Sequence, residues 1–129
     1  MTSEQTAIAR RLVACEQWRW MPGMRSCWAI EPTEGPFWCR VTTPRSIGLR
    51  GDGSPECNPN CFPDLTDPAT CGCLLAMLSE AGSVDLTQLG DHWYAALWIH
   101  EGQTLTAEAE APALGEALAL ALLACWGAE

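Results

Sequence analysis

The chain has 129 residues, 48% of them apolar and 18% charged, with a formal net charge of −9. That composition excludes a disordered chain, and the length suits a single domain, 1–129. The acidic balance excludes broad binding of polymeric nucleic acid, which needs a basic surface to neutralise phosphates.

In chain order, Thr2-Ser3-Glu4-Gln5 fits a capping box, and Ile8, Leu12 and Cys15 follow at helical spacing. A helix over about 3–18 is predicted, stopped by Pro22-Gly23. Residues 25–31 and 36–43 read as two strands of a hairpin joined by a turn at 32–36. Residues 44–63, punctuated by Pro44, Pro55, Pro59, Pro63 and by Gly51-Asp52-Gly53, read as one long loop. Asp67-Pro68 opens a second helix, as N-cap and first helical residue, and Gly82 ends it. From His92 to His100 the pattern alternates as a strand, with His92, Tyr94, Ala96, Trp98 and His100 on one face. Glu101-Gly102 turns the chain back into a partner strand over 103–110, with Glu108 and Glu110 on the face of Thr104 and Thr106. A last helix follows Pro112 and reaches about Trp126; Glu116 is its only charge. Such a helix must be covered all round, inside the domain or by a second copy. For so small a domain, the expectation is a homo-oligomer through residues 113–126. The predicted order is α-β-β-α-β-β-α, an α+β sandwich with helices on an antiparallel or mixed sheet. The apolar run at 117–126 is too short to span a bilayer and no basic n-region precedes an apolar stretch. A cytoplasmic protein without a membrane partner is expected.

The charges are sorted along the chain. All seven basic residues are arginines, and all lie in residues 1–50 against Glu4, Glu16, Glu31 and Glu34; the other 12 of the 16 acids follow with no base among them. Tryptophans interleave with those arginines: Trp18-Arg19-Trp20, then Arg25, Trp28, Trp38-Cys39-Arg40, Arg45 and Arg50. Arginine presents a planar fork to phosphate or carboxylate and stacks on aromatic faces, and tryptophan supplies the stacking surface. The cluster therefore reads as a site for a small aromatic anion, with Trp18, Trp20 and Trp38 stacking, Arg25, Arg40, Arg45 and Arg50 on the phosphates, and Met24 in the same segment. The competing reading makes the tryptophans core and the arginines surface residues lying over it.

Other constellations are weaker. Eight cysteines in a reducing compartment read as free thiols. Cys57, Cys61 and Cys73 are weak candidates for zinc, because Cys71 and Cys73 stand two apart on a helix and do not share a face. His92 and His100 lie too far apart along one strand for shared acid–base chemistry. Asp67 is explained by the cap. No phosphate loop, dinucleotide fingerprint or nucleophile elbow occurs, so neither a cofactor nor a catalytic set is expected.

Two segments, Trp18-Arg19-Trp20-Met21-Pro22-Gly23-Met24 and Pro63-Asp64-Leu65-Thr66-Asp67-Pro68-Ala69-Thr70 continuing to Gly72-Cys73-Leu74-Leu75-Ala76, with the alanine- and leucine-rich last helix, resemble a family of small bacteriophage proteins with a phage α/β/α ("ABA") sandwich domain. The resemblance covers most of the chain in order. The Cys57 to Cys61 loop departs from that pattern as an insertion, and Cys71 replaces an aliphatic residue. By analogy with small phage proteins of similar build, it implies a nucleotide sponge: an anti-defence protein that sequesters a cyclic nucleotide or cyclic ADP-ribose variant, as in anti-Thoeris action, without hydrolysing it. The alternative is an acidic inhibitor that docks on a basic host defence protein.

Overall fold

The structure, a computed structural model, describes residues 1–30, 34–41 and 61–128, with side chains described outside 28–39. Arg45, Arg50, Cys57 and nearly all of the expected 44–63 loop lie outside the described residues.

Helix α1, Ser3–Val13, starts on the expected capping box: Thr2 Oγ1 accepts from the Gln5 N–H at 3.1 Å, and the Thr2 N–H donates to Gln5 Oε1 at 2.8 Å. It is shorter than expected. The Cys15 N–H turns to the Leu12 carbonyl and the Trp18 N–H to the Cys15 carbonyl, at 3.0 and 3.1 Å, so three-residue turns replace the last helical turn.

Strands β1, Arg25–Ile30, and β2, Glu34–Arg40, form the expected antiparallel hairpin, but β2 starts at Glu34, inside the expected turn, and ends at Arg40 rather than 43. Phe62 and Pro63 do not belong to a loop: they form β3, which pairs antiparallel with β1 at Ser26 and Cys27 and makes the order β2-β1-β3. Proline is tolerated there because β3 is an edge strand.

Helix α2, Pro68–Ala81, is capped by Asp67 and closed by Gly82, as expected. A Cβ at Gly82 would lie 2.3 Å from the Trp98 carbonyl oxygen, so only glycine lets the chain leave the helix here.

Three strands follow: β4 (Ser83–Leu89), β5 (His92–Ile99) and β6 (Thr104–Ala111), antiparallel in that order. β4 was not expected, although Val84 and Leu86 alternate with polar residues and Gly90-Asp91 is a two-residue hairpin turn. A register shift opposite Leu97 and Trp98 places Ala107 across from Leu97 and Leu105 across from Trp98. One residue is bulged, so Thr104 falls on the face opposite to Glu108 and Glu110, against the uninterrupted alternation read from sequence.

Helix α3, Leu114–Cys125, packs on β5 and β6 and against α1 and α2. Leu118, Leu122 and Leu123 are each 1% exposed. The chain's own elements cover this helix, so its all-round apolarity calls for no second copy. Among the described residues the architecture is α+β, three helices with two small antiparallel sheets, and no helix is long and apolar enough to cross a membrane.

Candidate functional site

The two sequence motifs meet in space. After α1 the chain passes through Trp18 and Trp20, whose rings pack edge to face, 5.3 Å apart at 86°. It then turns at Met21–Met24, where the Met24 N–H reaches the Met21 carbonyl at 3.1 Å. Met24 is fully buried, a core residue rather than a ligand contact. Gly23 and Met24 bond to Val41, which ties this turn to the end of β2.

Arg25 and Arg40 face each other in the β1–β2 register. Like charges directly opposite in a sheet repel, and the second motif supplies the counter-charges. Arg25 Nε lies 3.4 Å from Asp64 Oδ2, and Arg40 Nη1 lies 2.5 Å from Asp67 Oδ2 while also donating to the Gly23 carbonyl at 2.9 Å. Both aspartates are nearly buried. Asp64 Oδ1 also accepts from the Thr66 N–H and hydroxyl, at 3.0 and 2.6 Å. Asp67 accepts from the Thr70 N–H and hydroxyl at 3.0 and 2.9 Å, and the Thr70 hydroxyl accepts the Arg25 N–H at 2.8 Å. Burial alone would raise the Asp67 carboxyl, but hydrogen bonds from Arg40 and Thr70 outweigh it and hold the group below its usual value.

The corner thus fixes two of the expected arginines, each against a carboxylate. Arg19 pairs with Glu80 of α2 where both side chains are largely exposed. The buried Trp18 Nε1 has no hydrogen-bond partner among the described residues. Trp38 stands opposite Cys27 in the sheet register, and its side chain lies outside the description.

The cysteines among the described residues do not converge. Cys71 Sγ donates to the Leu65 carbonyl at 3.4 Å and Cys73 Sγ to the Pro22 carbonyl at 3.6 Å, contacts on two different segments. Burial pushes the Cys71 thiol up to about 11, away from the thiolate that a metal needs. No group of three His, Cys, Asp or Glu side chains among the described residues can hold a metal. Cys15, Cys27, Cys61, Cys71, Cys73 and Cys125 are free thiols.

Two features escaped the sequence reading. Asp64 and Asp67 act as counter-charges to the arginines, which the sorting of acids after residue 50 could have suggested. An apolar cavity of about 520 Å³ lies between the N-terminal halves of α2 and α3, walled by Leu65, Cys71, Leu75, Leu86, Leu114 and Leu118. None of the described tryptophans or arginines line it, and no local pattern announces it, since the turn before α2, α2 itself, β4 and α3 all contribute.

Comparison of the chain with family models, curated proteins and solved structures finds no match.

Proposed function

We propose that this chain works by holding a small aromatic anion of the nucleotide type without turning it over. In the setting its phage-family resemblance implies, that makes it an anti-defence sponge for a cyclic nucleotide or cyclic ADP-ribose variant in the host cytoplasm. The observation that carries the reading is the corner itself. Both distinctive motifs fold into it, and they set the paired rings of Trp18 and Trp20 on the same short segment that ties to Arg40 through Gly23. The Arg40 side chain is 40% exposed although one edge is pinned to Asp67. Because the aspartates cancel local charge, recognition rests on stacking and on guanidinium geometry more than on potential, and its salt dependence is expected to be weak.

Calorimetric titration against cyclic nucleotides and cyclic ADP-ribose isomers, with chromatographic recovery of the ligand, tests this. The reading expects tight binding, intact ligand, and loss of about tenfold or more in affinity on Trp20→Ala or Arg40→Ala. Unchanged affinity in both variants, or recovery of a cleaved product, overturns it.

A second reading, docking of the acidic half on a basic protein, is favoured by one observation. Asp85, Glu108 and Glu110 share an exposed sheet face and, among the described residues, none of them is in an ion pair. That reading expects strong weakening by salt.

A further inference from the structure

The face of the β4-β5-β6 sheet turned away from α2 and α3 is organised in cross-strand rows. Asp85 stands opposite Ala96, and Ala96 opposite Glu108; Thr87 stands opposite Tyr94, and Tyr94 opposite Glu110. At the end of the face, Ser83 and Leu105 flank Trp98, Leu105 having been brought there by the bulge in β6. The three acids are exposed, and adjacent strands lie about 4.8 Å apart, so carboxylates line both sides of an aromatic strand. Tyr94 donates its hydroxyl to Glu108 Oε2 at 2.5 Å, which holds that carboxylate beside the ring. Ala96, though it shares this outward face, is 1% exposed. The surface is therefore a filled, shallow platform and not a hole. Leu105 at its end is 40% exposed, and the chain holds no Lys or Arg after residue 50 to neutralise the acids.

We propose that this platform docks an arginine-rich segment of a partner protein. The proposal rests on the second reading above and gives it a surface and a partner chemistry. A guanidinium stacks on tyrosine and tryptophan while its edges donate to carboxylates, so aromatics bordered by acids suit arginine better than lysine. The filled relief suits an extended or flat protein segment more than a small molecule. The sign of the charge excludes a nucleic acid.

The test uses octa-arginine and octa-lysine peptides as probes, with affinity measured by fluorescence anisotropy at about 0.15 M salt. The triple variant Asp85→Lys/Glu108→Lys/Glu110→Lys is expected to weaken octa-arginine by about tenfold or more. A control of identical charge change elsewhere, Glu16→Lys/Asp91→Lys/Glu101→Lys, is expected to weaken it by about threefold or less. The neutral variant Asp85→Asn/Glu108→Gln/Glu110→Gln, which adds no repulsion, should fall in the same direction, with circular dichroism confirming the fold. Octa-lysine should bind the wild-type chain more weakly than octa-arginine. Equal losses in the two lysine triples would overturn the platform and leave acidic docking standing. Absence of octa-arginine binding to the wild-type chain would overturn both. Equal affinity for the two peptides would remove the aromatic part of the surface and with it this proposal.

Discussion

Arg25 and Arg40 stand opposite each other in β1 and β2, and each meets an aspartate from the turn that opens α2. Asp85, Glu108 and Glu110 stand in rows on the β4-β5-β6 sheet and, among the described residues, are not ion-paired at all. The contrast separates charge that holds a fold from charge that faces outward. In the corner, the carboxylates are nearly buried, accept two or more hydrogen bonds each, and join segments distant in sequence. Removing one takes a counter-charge from an arginine and hydrogen-bond acceptors from a neighbouring threonine. On the platform, the acids sit in water, where losing one costs the fold little. Charges of the second kind contribute little to the fold, which leaves the platform free to meet a protein partner.

The strongest way to break the corner is through its attachment to α3. A Cβ at Gly115 would lie 1.8 Å from the Leu65 carbonyl oxygen, a backbone atom within the Asp64–Asp67 turn that cannot yield without moving it. Gly115→Ala is expected to cost about 3 kcal/mol in urea unfolding, at the upper end of overpacking effects. Next, Asp67→Ala removes the α2 cap and the Arg40 pair together and is expected to cost about 2 kcal/mol, whereas Asp85→Ala should stay within about 0.5 kcal/mol. Equal costs for the two aspartates would dissolve the distinction drawn between the regions.

Acid sharpens the same contrast. The folded-state Asp67 carboxyl is held below its reference value of 3.8. Its contribution to stability is therefore fully present above about pH 4 and is lost as pH falls through the lower folded value. The stability gap between the wild-type chain and Asp67→Asn should be constant from pH 7 to about 5 and close as the pH falls below about 4, as read by unfolding at each pH. The smallest effect concerns the platform. Tyr94 is the chain's one tyrosine, and its hydroxyl titrates above the usual value because it donates to Glu108. Glu108→Gln should bring its ultraviolet titration back toward ordinary tyrosine while leaving stability nearly unchanged. A titration curve that did not move would mean the Tyr94–Glu108 bond does not persist in solution.

Much of the fold was legible. The Thr2–Gln5 and Asp67–Thr70 caps, the stop at Gly82 and the alternation of β5 appear where the residues placed them, and the β1–β2 hairpin forms with its second strand shifted about two residues earlier. The sequence signal of β4 is thin: Val84 and Leu86 are its only inward-facing apolar residues, both partly exposed. The turn at Gly90-Asp91 would have disclosed it. Of the residues read as a site, the structure places four at or beside the corner and makes Met24 part of the core. Trp18 and Trp20 pack on each other in the segment leading into the corner where Arg25 and Arg40 stand opposite, but that the two arginines arrive already matched to carboxylates depends on residues about 40 and 27 positions away.

The sequence by itself determined what is settled within a turn or along a strand: which residues cap a helix, which positions share a face, and that every basic residue lies in the first 50 while 12 of the 16 acids follow. These follow from hydrogen bonds spanning three or four residues and from the two-residue period of a strand. Tertiary structure alone decided that α3 is covered by its own chain, that a glycine admits Leu65 against it, that a bulge turns Leu105 onto the platform, and which charges are matched. Those outcomes depend on the approach of segments far apart in sequence, where close packing and the cost of burying a charge choose among arrangements that local pattern leaves equal.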